Sequence, residues 1–277
     1  MEPSTQWGTL GAPGPAHCAE LLYVVETPSA TLRRAAYEHG AVVAYHKHAG
    51  ASLVYGVGGP CVERQGTGSI IKRRFVYHPP GYAHSLEFQG ATHILAFDVN
   101  DRAFGQHLQI LRESSLALPA TLYDQVWRVL LAVGDTAPIE MVEALVRQLL
   151  DMVLEHAARS PPRWLTEVID GLHSDWREVP SARTIAERHS FSTPYLCRTF
   201  KRFTGVTLQR YALALRCDYA RGLLWGSGIP IAEVAAETGF ADQSHLTRAL
   251  TAHSQKSPGS LRLRAPSLSG ARRLSRA

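Results

Sequence analysis

The sequence lacks the features that would direct a chain into or across a membrane. No apolar run reaches eighteen residues, which is about the length that a membrane-spanning helix needs. Residues 1–10 contain no basic stretch followed by an apolar one, so they do not resemble a secretion signal. The four cysteines (Cys18, Cys61, Cys197 and Cys217) are scattered and form no Cys-x-x-Cys pair. We therefore expect a reduced protein of the cytoplasm that makes no membrane contact.

The charge of the chain is unevenly distributed. The 277 residues carry a net charge of +5, but residues 1–160 carry −3 and residues 161–277 carry +8. A mildly acidic half joined to a basic half indicates that only the C-terminal half meets a polyanion. An ordinary basic surface would give the same charge, so charge alone does not predict nucleic-acid binding.

Short β-like runs dominate residues 17–100, and turn residues such as Gly58-Gly59-Pro60 and Pro79-Pro80-Gly81 separate them. The clearest runs are Ala41–Tyr45, Ser52–Val57, Ile70–Tyr77 and His93–Val99. Several short strands broken by turns predict a sandwich or a barrel.

Residues 119–133 and 138–158 read as two helices, each with a proline near its start. The second helix carries a wide apolar stripe that includes Val142, Leu145, Leu149 and Met152. A stripe of this width favours packing partly on a second subunit, so these four residues are our candidate dimerisation surface. Packing entirely within one chain is the alternative.

The adjacent prolines Pro161 and Pro162 end this helical region and suggest a linker. We predict one domain over 1–160, which contains the candidate dimerisation surface, and a second domain over 161–264; the motifs below indicate effector sensing for the first and DNA binding for the second. Residues 265–277, rich in Ser, Arg and Gly, are predicted to be a disordered basic tail.

The C-terminal region repeats one pattern twice. In Ser181–Phe203 a short helix, a turn at Ser190-Phe191 and a second helix follow one another, and Gly205 ends the second helix. In Ile229–Ala252 the turn is Gly239-Phe240 and Asp242 caps the second helix. One predicted helix over Thr207–Trp225 joins the two units. A helix-turn-helix with a polar, basic outer face is the shape that enters a major groove, and a rigid connector sets the distance between two such units.

This region resembles the AraC family of transcription regulators from about Trp164 to Arg262. The matching motifs are Ala186-Glu187, Ser192-x-x-x-Leu196-x-Arg198-x-Phe200-Lys201, Thr204-Gly205-Val206-Thr207, Tyr211, Arg216-x-x-x-Ala220-x-x-Leu223-Leu224, Ile231-Ala232-Glu233-Val234-Ala235, Gly239-Phe240-x-Asp242-Gln243-Ser244-His245-Leu246-x-Arg248 and Ser257-Pro258-x-x-x-Arg262. Three places depart from the family pattern. Leu208 stands where the family often has proline. Leu246 and Leu250 replace the usual phenylalanines and Ser254-Gln255-Lys256 replaces the usual Phe-Gly-x, which suggests a less tightly packed last helix.

The resemblance implies DNA contacts on outward-facing residues. They are Thr193, Pro194, Cys197, Arg198, Lys201 and Arg202 in the first unit, and Gln243, Ser244, Thr247 and Arg248 in the second. Arg198 and Arg248 would read guanine and Gln243 adenine, while Lys201 and Arg202 would touch phosphate. A phosphate contact or an internal salt bridge is the alternative for either arginine. The side chains of Pro194 and Cys197 form poor hydrogen bonds with base edges, so the first unit is expected to recognise DNA sequence only weakly.

The N-terminal region resembles the cupin pattern through His46-x-His48 and Pro79-Pro80-Gly81-Tyr82-Ala83-His84, and AraC-type regulators often carry a cupin-like sensing domain. His46 and His48 share a strand face, and His84 would join them. Ser52 and Leu53 stand where cupin enzymes usually place a glutamate, and Phe88 stands where they place an asparagine.

Three interpretations of these histidines stay open: a metal-free effector pocket, a divalent-metal site of His46, His48 and His84, or packed side chains. The candidate effector-binding residues are His46, His48, His84, Tyr82 and His93, and Glu63 is a carboxylate that a neighbouring strand could supply. No cofactor is expected beyond this optional divalent metal.

The sequence therefore predicts an α+β protein. A cupin-like β-barrel with following helices precedes an all-α domain of two helix-turn-helix units joined by a linker helix. The predicted function is sequence-specific regulation of transcription, with no enzymatic activity. The predicted partners are double-stranded promoter DNA, a small-molecule effector, a second copy of the chain and RNA polymerase. A metal-dependent cupin enzyme fused to a DNA-binding module is the alternative, and an architectural DNA-binding protein is a third.

Overall fold

The computed structural model describes residues 20–59, 61–65, 70–71, 74–100, 116–158, 161–226, 228–254, 256–263 and 272–274. The chain forms two compact units. One comprises residues 1–117 with 268–277, and the other comprises residues 118–267. None of the described helices is both long enough and apolar enough to cross a membrane.

The first unit consists of strands. They are β1 (Glu20–Glu26), β2 (Ala30–Tyr37), β3 (Val42–Lys47), β4 (Ser52–Gly58), β5 (Cys61–Gln65), β6 (Ile70–Ile71), β7 (Phe75–His78), β8 (Ala83–Phe88), β9 (Thr92–Val99), β10 (Leu116–Ala117) and β11 (Arg272–Leu274). The predicted runs at 41–45, 52–57, 70–77 and 93–99 all fall on strands, which confirms the β-rich domain.

The strands form two sheets and, among the described residues, no closed barrel. One sheet has the order β10-β7-β4-β9-β2-β1-β11 and the other has the order β3-β8-β5-β6. Side chains from both sheets share one apolar cluster, which includes Tyr37 of β2 and Phe88 of β8 with their rings stacked 4.2 Å apart. The predicted barrel is thus corrected to two sheets that pack on a common core. Two sheets can each bury one face in this way without hydrogen bonds between their edge strands.

Three residues of the predicted tail lie beside the larger sheet. Arg272–Leu274 forms β11, which pairs in parallel with β1. The disorder of residues 265–277 stays a prediction. Residues 265–271 and 275–277 of the predicted tail lie outside the described residues.

The second unit is helical. Its helices are α1 (Tyr123–Gly134), α2 (Ile139–Ala157), α3 (Arg163–Ser174), α4 (Ala182–Arg188), α5 (Thr193–Thr204), α6 (Leu208–Gly226), α7 (Ile231–Glu237), α8 (Gln243–Ser254) and α9 (Pro258–Leu263), and a 3₁₀ turn at Ala120–Leu122 precedes α1. The helices predicted at 119–133 and 138–158 correspond closely to α1 and α2.

Helix α1 belongs to the same compact unit as the helices of the two predicted helix-turn-helix units, whereas the sequence places it in the N-terminal domain. The indole of Trp127 donates a hydrogen bond to Asp218 of α6 over 2.8 Å, and Arg221 of α6 pairs with Asp124 of α1 over 2.6 Å. Asp218 and Arg221 are both buried. A buried charge needs a partner, so these two bonds hold α1 against α6. The linker prolines Pro161 and Pro162 give no indication of this contact.

The candidate dimerisation residues divide into two sets. Val142 and Leu149 are buried in the core of their own chain, whereas Leu145 and Met152 are half-exposed. Val142 and Leu149 are therefore withdrawn from the candidate surface, because α2 buries one side of its wide stripe against α1.

Candidate nucleic-acid interface and histidine cluster

A cluster of buried histidines lies where the ends of several strands meet in the first unit. The register of β3 and β8 places His46 opposite His84, and the register of β4 and β7 places Ser52 opposite His78. His48 follows β3 and is tied to the turn before β8, since its amide donates to the Tyr82 carbonyl over 2.9 Å. Strand pairing therefore brings together four histidines that are separated in sequence.

The four imidazole rings are in contact. The ring centroids of His46 and His84 lie 4.5 Å apart, those of His78 and His84 lie 4.4 Å apart, and those of His48 and His84 lie 4.9 Å apart. The Nε2 atoms of His48 and His84 face one another at 3.5 Å. Ligand atoms of two triplets, His46-His48-His84 and Glu63-His78-His84, lie within 4.8 Å of one another.

The Nδ1 atoms of two of these rings have hydrogen-bond partners. That of His46 lies 2.9 Å from the Ala44 carbonyl, and that of His48 lies 3.3 Å from the Ser52 hydroxyl. The Nδ1 atom of His84 lies 3.4 Å from Oε1 of Glu63 without forming a hydrogen bond. Within the described part of the chain, Nε2 of His46 and Nδ1 of His78 are likewise buried without a hydrogen-bond partner. Buried nitrogens without a partner are uncommon, and they suit a bound ligand.

Burial keeps two of these histidines neutral. It lowers the pKa of His48 to about 3, with the charges of His78, His46 and Arg33 acting in the same direction. It lowers the pKa of His84 to about 2, again helped by His78, His46 and His48. Neutral imidazole is the form that coordinates a metal, so the cluster holds these two rings in that form without help from solution pH.

Glu63 and His78 belong to this cluster, although the sequence gave little indication that they would. Glu63 is buried, accepts a hydrogen bond from the Tyr82 hydroxyl over 2.5 Å and lies 3.3 Å from Nε2 of His78. The sequence offered Glu63 only as a guess and did not single out His78. Their proximity depends on the pairing of β5 with β8 and of β7 with β4, which residue spacing does not reveal.

His93 lies elsewhere than the sequence predicts. It is on β9, paired with Val57, whereas Ser52 at the cluster end of β4 pairs with Asp98. Five residues of strand separate the two positions, which corresponds to about 17 Å. We therefore remove His93 from the candidate effector-binding residues, while His46, His48, His84 and Tyr82 remain together.

The first helix-turn-helix unit is α4, a turn and α5. The Ser192 hydroxyl caps α5 by accepting from the Tyr195 amide over 3.4 Å, and Pro194 occupies the first turn. Gly205 ends α5 with a φ of 79°, a left-handed conformation that favours glycine. Leu196 and Phe200 form the buried side of α5.

The second unit, α7, a turn and α8, repeats this design fifty residues later. Asp242 caps α8 by accepting from the His245 amide over 2.7 Å, and Gly239 makes the turn with a φ of 73°. Leu246 and Leu250 are fully buried in a cluster with α6 and α9. The leucines that replace the family's phenylalanines therefore still fill a closed core.

Helix α6 joins the units as a continuous helix of 19 residues, about 28 Å long. Tyr211 and Leu215 on its inner side are fully buried. The single helix predicted over 207–225 is confirmed, so a continuous helix connects the two helix-turn-helix units.

The candidate DNA-contact residues fall on one outer side of each recognition helix. Eight of them are exposed: Pro194, Cys197, Arg198, Lys201, Arg202, Gln243, Ser244 and Arg248. Thr193 and Thr247 are half-buried, and the Thr247 hydroxyl donates to the Gln243 carbonyl. Neither Arg198 nor Arg248 forms an ion pair within the described residues, so both guanidinium groups are available to a ligand.

Comparison with known proteins gives a family match to this region. A family model described as a helix-turn-helix domain matches residues 185–264, which contain both recognition helices. Residues 185–264 are therefore a helix-turn-helix domain. The Msm operon regulatory protein of Streptococcus mutans is 24% identical over 163 residues, 59% of this chain and 56% of that protein. The transcriptional activator RhaS of Citrobacter koseri is 32% identical over 133 residues, 46% of this chain and 48% of that protein. The chain spans about half the length of these curated relatives.

Two solved structures are also similar. A Chromobacterium violaceum transcriptional regulator, described by its AraC-type DNA-binding domain, is 27% identical. It covers 37% of this chain and 92% of its own, with a TM-score of 0.36. ToxT from Vibrio cholerae is 11% identical and covers 87% of this chain and 99% of its own, with a TM-score of 0.38.

An exposed aromatic side chain lies at the start of α5. Tyr195 is 42% exposed. Its ring lies 5.1 Å from that of Phe191 and 6.1 Å from that of Trp164. The packing of α3 against this turn makes an aromatic surface beside Arg198, which helical periodicity alone does not show.

Proposed function

We propose that this protein is a sequence-specific transcription regulator that binds promoter DNA through its AraC-type domain. The observation that carries the proposal is the pair of equivalent, exposed arginines, Arg198 and Arg248, on two recognition helices joined by α6. Two such helices on one face of DNA must lie about one helical turn apart, roughly 34 Å, and a rigid connector supports that requirement.

The outward residues divide by the contact they would make. Arg198 and Arg248 present guanidinium groups suited to bidentate contact with guanine, and Gln243 presents an amide suited to adenine. Lys201 and Arg202 lie toward the end of α5, where positive charge favours phosphate contacts that add affinity and little specificity. The remaining candidates, Thr193, Pro194, Cys197, Ser244 and Thr247, would line the groove.

We further propose that the N-terminal unit binds an effector at the cluster of His46, His48, His84 and Tyr82. Binding would act by favouring one of two arrangements of the protein that differ in affinity for DNA. We also propose that the protein is a homodimer of the cytoplasm whose partners are promoter DNA and RNA polymerase. The curated relatives described above are named as regulators and activators, which supports regulation over catalysis.

Selection of bound fragments from random DNA, read by sequencing, tests the DNA-binding proposal. We expect the wild type to enrich one motif. The variant Arg248→Ala should lose preference at one base position of that motif at a cost of about 1–3 kcal/mol. Arg163→Ala is the matched control, because Arg163 is an exposed arginine of the same unit that pairs with Glu167 on α3.

An Arg248→Ala motif identical to that of the wild type would contradict base reading by α8. If the wild type enriches no motif under any ligand condition while Lys201→Ala lowers its affinity for all sequences alike, the protein binds DNA by charge alone.

A further inference from the structure

We propose that Asp124 of α1 positions the second recognition helix, α8, by binding His253 in the last turn of that helix. Asp124 lies outside residues 185–264, which the helix-turn-helix family model matches, so one partner of this contact comes from a helix that precedes the domain. The part of the inference that concerns base recognition rests on the proposed function. The contact between α1 and α8 stands on the geometry of the side chains alone.

Asp124 divides its two carboxylate oxygens between two helices. Its Oδ1 accepts a hydrogen bond from Nη2 of Arg221 on α6 over 2.6 Å, and its Oδ2 lies 2.6 Å from Nδ1 of His253 on α8. A carboxylate that is paired with a buried arginine is ionised and can only accept hydrogen bonds, so Nδ1 of His253 donates in this contact. One side chain of α1 therefore joins the connecting helix to the second recognition helix.

The two contacts of Asp124 differ in what they contribute to folding. The side chain of Arg221 is 1% exposed, and a buried charge of this kind needs its partner. The side chains of His253 and Asp124 are 24% and 36% exposed, and an ion pair at such a partly solvated place adds little to stability. Trp127 also holds α1 on α6 through its hydrogen bond to Asp218. We therefore expect that loss of the His253 contact leaves the unit folded and changes how firmly α8 is held.

The place of His253 on α8 connects the contact to base recognition. Leu246 and Leu250 pack in the apolar cluster with α6 and α9, which holds α8 along one line of side chains. A short helix that is held only along such a line can still rotate about its own axis. His253 lies three residues after Leu250 and five after Arg248, which places it about 140° around the helix from Arg248.

The contact thus restrains α8 on its inner side and fixes the direction in which Arg248 points. A bidentate contact with guanine requires two hydrogen bonds to form at once, so it is sensitive to the rotation of the helix that carries the arginine. Phosphate contacts tolerate such a rotation better, because they depend mainly on charge. We therefore expect the contact between Asp124 and His253 to affect discrimination between bases more than total affinity.

Binding of the full-length protein to its selected motif tests the positioning role. The measured quantity is discrimination, the ratio of the affinities for the motif and for the motif with one base pair changed. Arg198→Ala and Arg248→Ala first assign the base positions that each unit recognises. We expect His253→Ala to lower discrimination at the Arg248 position at least about fivefold and to leave that at the Arg198 position unchanged. His253→Lys should restore discrimination, because an ammonium group still pairs with Asp124.

Trp127→Phe is the matched control, since it removes the hydrogen bond from α1 to Asp218 of α6 and leaves the His253 contact in place. It should lower the denaturant midpoint and leave discrimination unchanged at both positions. Circular dichroism confirms that each variant is folded. Wild-type discrimination in folded His253→Ala would overturn the proposal. An equal loss at both base positions, or failure of His253→Lys to restore discrimination, would also overturn it, because the effect would then be a general loss of stability.

Amide hydrogen exchange tests the contact without DNA. We expect the amides of α8 to exchange at least about fivefold faster in His253→Ala than in the wild type, while those of α5 are unchanged. Unchanged exchange in α8 would show that Asp124 does not restrain this helix and would overturn the proposal. If the wild type enriches no motif under any ligand condition while α8 shows the faster exchange, the proposed function fails and the role of Asp124 in holding α8 does not.

Discussion

The pKa of His93 shows how the surroundings of one side chain determine its charge. It lies on β9 of the larger sheet, and burial lowers its pKa to about 4, with the charge of Arg34 acting in the same direction. In the unfolded chain the same histidine would titrate near 6.5. Between these values the unfolded state binds a proton that the folded state does not, so His93 destabilises the fold as the pH falls.

We therefore expect the free energy of unfolding to fall between about pH 6.5 and pH 4, with a contribution from His93 approaching about 1.4 kcal/mol per pH unit. His93→Gln should remove that contribution, while His39→Gln, at an exposed position, should not. Urea unfolding at several pH values measures the slopes. Equal pH dependence in the wild type and His93→Gln would show that burial does not keep this ring neutral.

At the scale of single elements, α2 combines two surfaces that the sequence does not separate. Val142 and Leu149 face the core, whereas Met141, Leu145 and Met152 lie on a more exposed side at spacings of four and seven residues. An exposed apolar stripe at this period is suited to pairing with a like helix. The dimer proposal thus moves to the second side of α2.

Two glutamate substitutions test the two sides of α2 independently. Leu145→Glu should leave the chain folded and shift it from dimer to monomer in sedimentation equilibrium. Leu149→Glu should instead destabilise the monomer by several kcal/mol, about 3 or more, because it buries a charge in a closed core. Circular dichroism reports folding in both cases. A Leu145→Glu protein that still sediments as the wild-type dimer would exclude this surface.

At the scale of the whole molecule, the helical unit is larger than an isolated pair of helix-turn-helix motifs. Helix α1 and the turn before it supply polar partners to α3 and α6. The Tyr123 hydroxyl lies 3.1 Å from Nδ1 of His173, and the Ala120 amide donates to the hydroxyl of Tyr211 over 3.1 Å. Asp124 adds a pair with His253 of α8 over 2.6 Å. Burial would raise the pKa of Asp124, but the hydrogen bond from His253 and the charge of Arg221 outweigh it and lower that pKa.

We expect fragment 118–263 to unfold cooperatively and to be more stable than fragment 161–263 by about 3 kcal/mol or more. The shorter fragment removes Asp124 and Trp127 from the buried Arg221 and Asp218, and a buried charge that loses its partner is costly. Denaturant unfolding followed by circular dichroism compares the two. Equal midpoints and slopes would show that α1 adds nothing to the stability of the DNA-binding helices.

The helix-turn-helix half could be predicted from the sequence because its determinants are local. Ser192 and Asp242 cap the recognition helices, Gly205 ends one of them, and Arg198 and Arg248 recur at equal positions. Capping and helical period act over a few residues, so spacing along the chain is sufficient to place an outward face.

The sequence by itself determined the class of elements in each half, the second helix of each helix-turn-helix unit and the histidine pair His46 and His48. Only the tertiary structure decided that β7 and β5 bring His78 and Glu63 to that pair, that His93 lies away from it, and that α1 packs with the helix-turn-helix domain. The physical reason is that these contacts join residues far apart in the sequence. Strand register and the partners of buried charges join residues 15 to 97 positions apart, and nothing in local spacing fixes which of them meet.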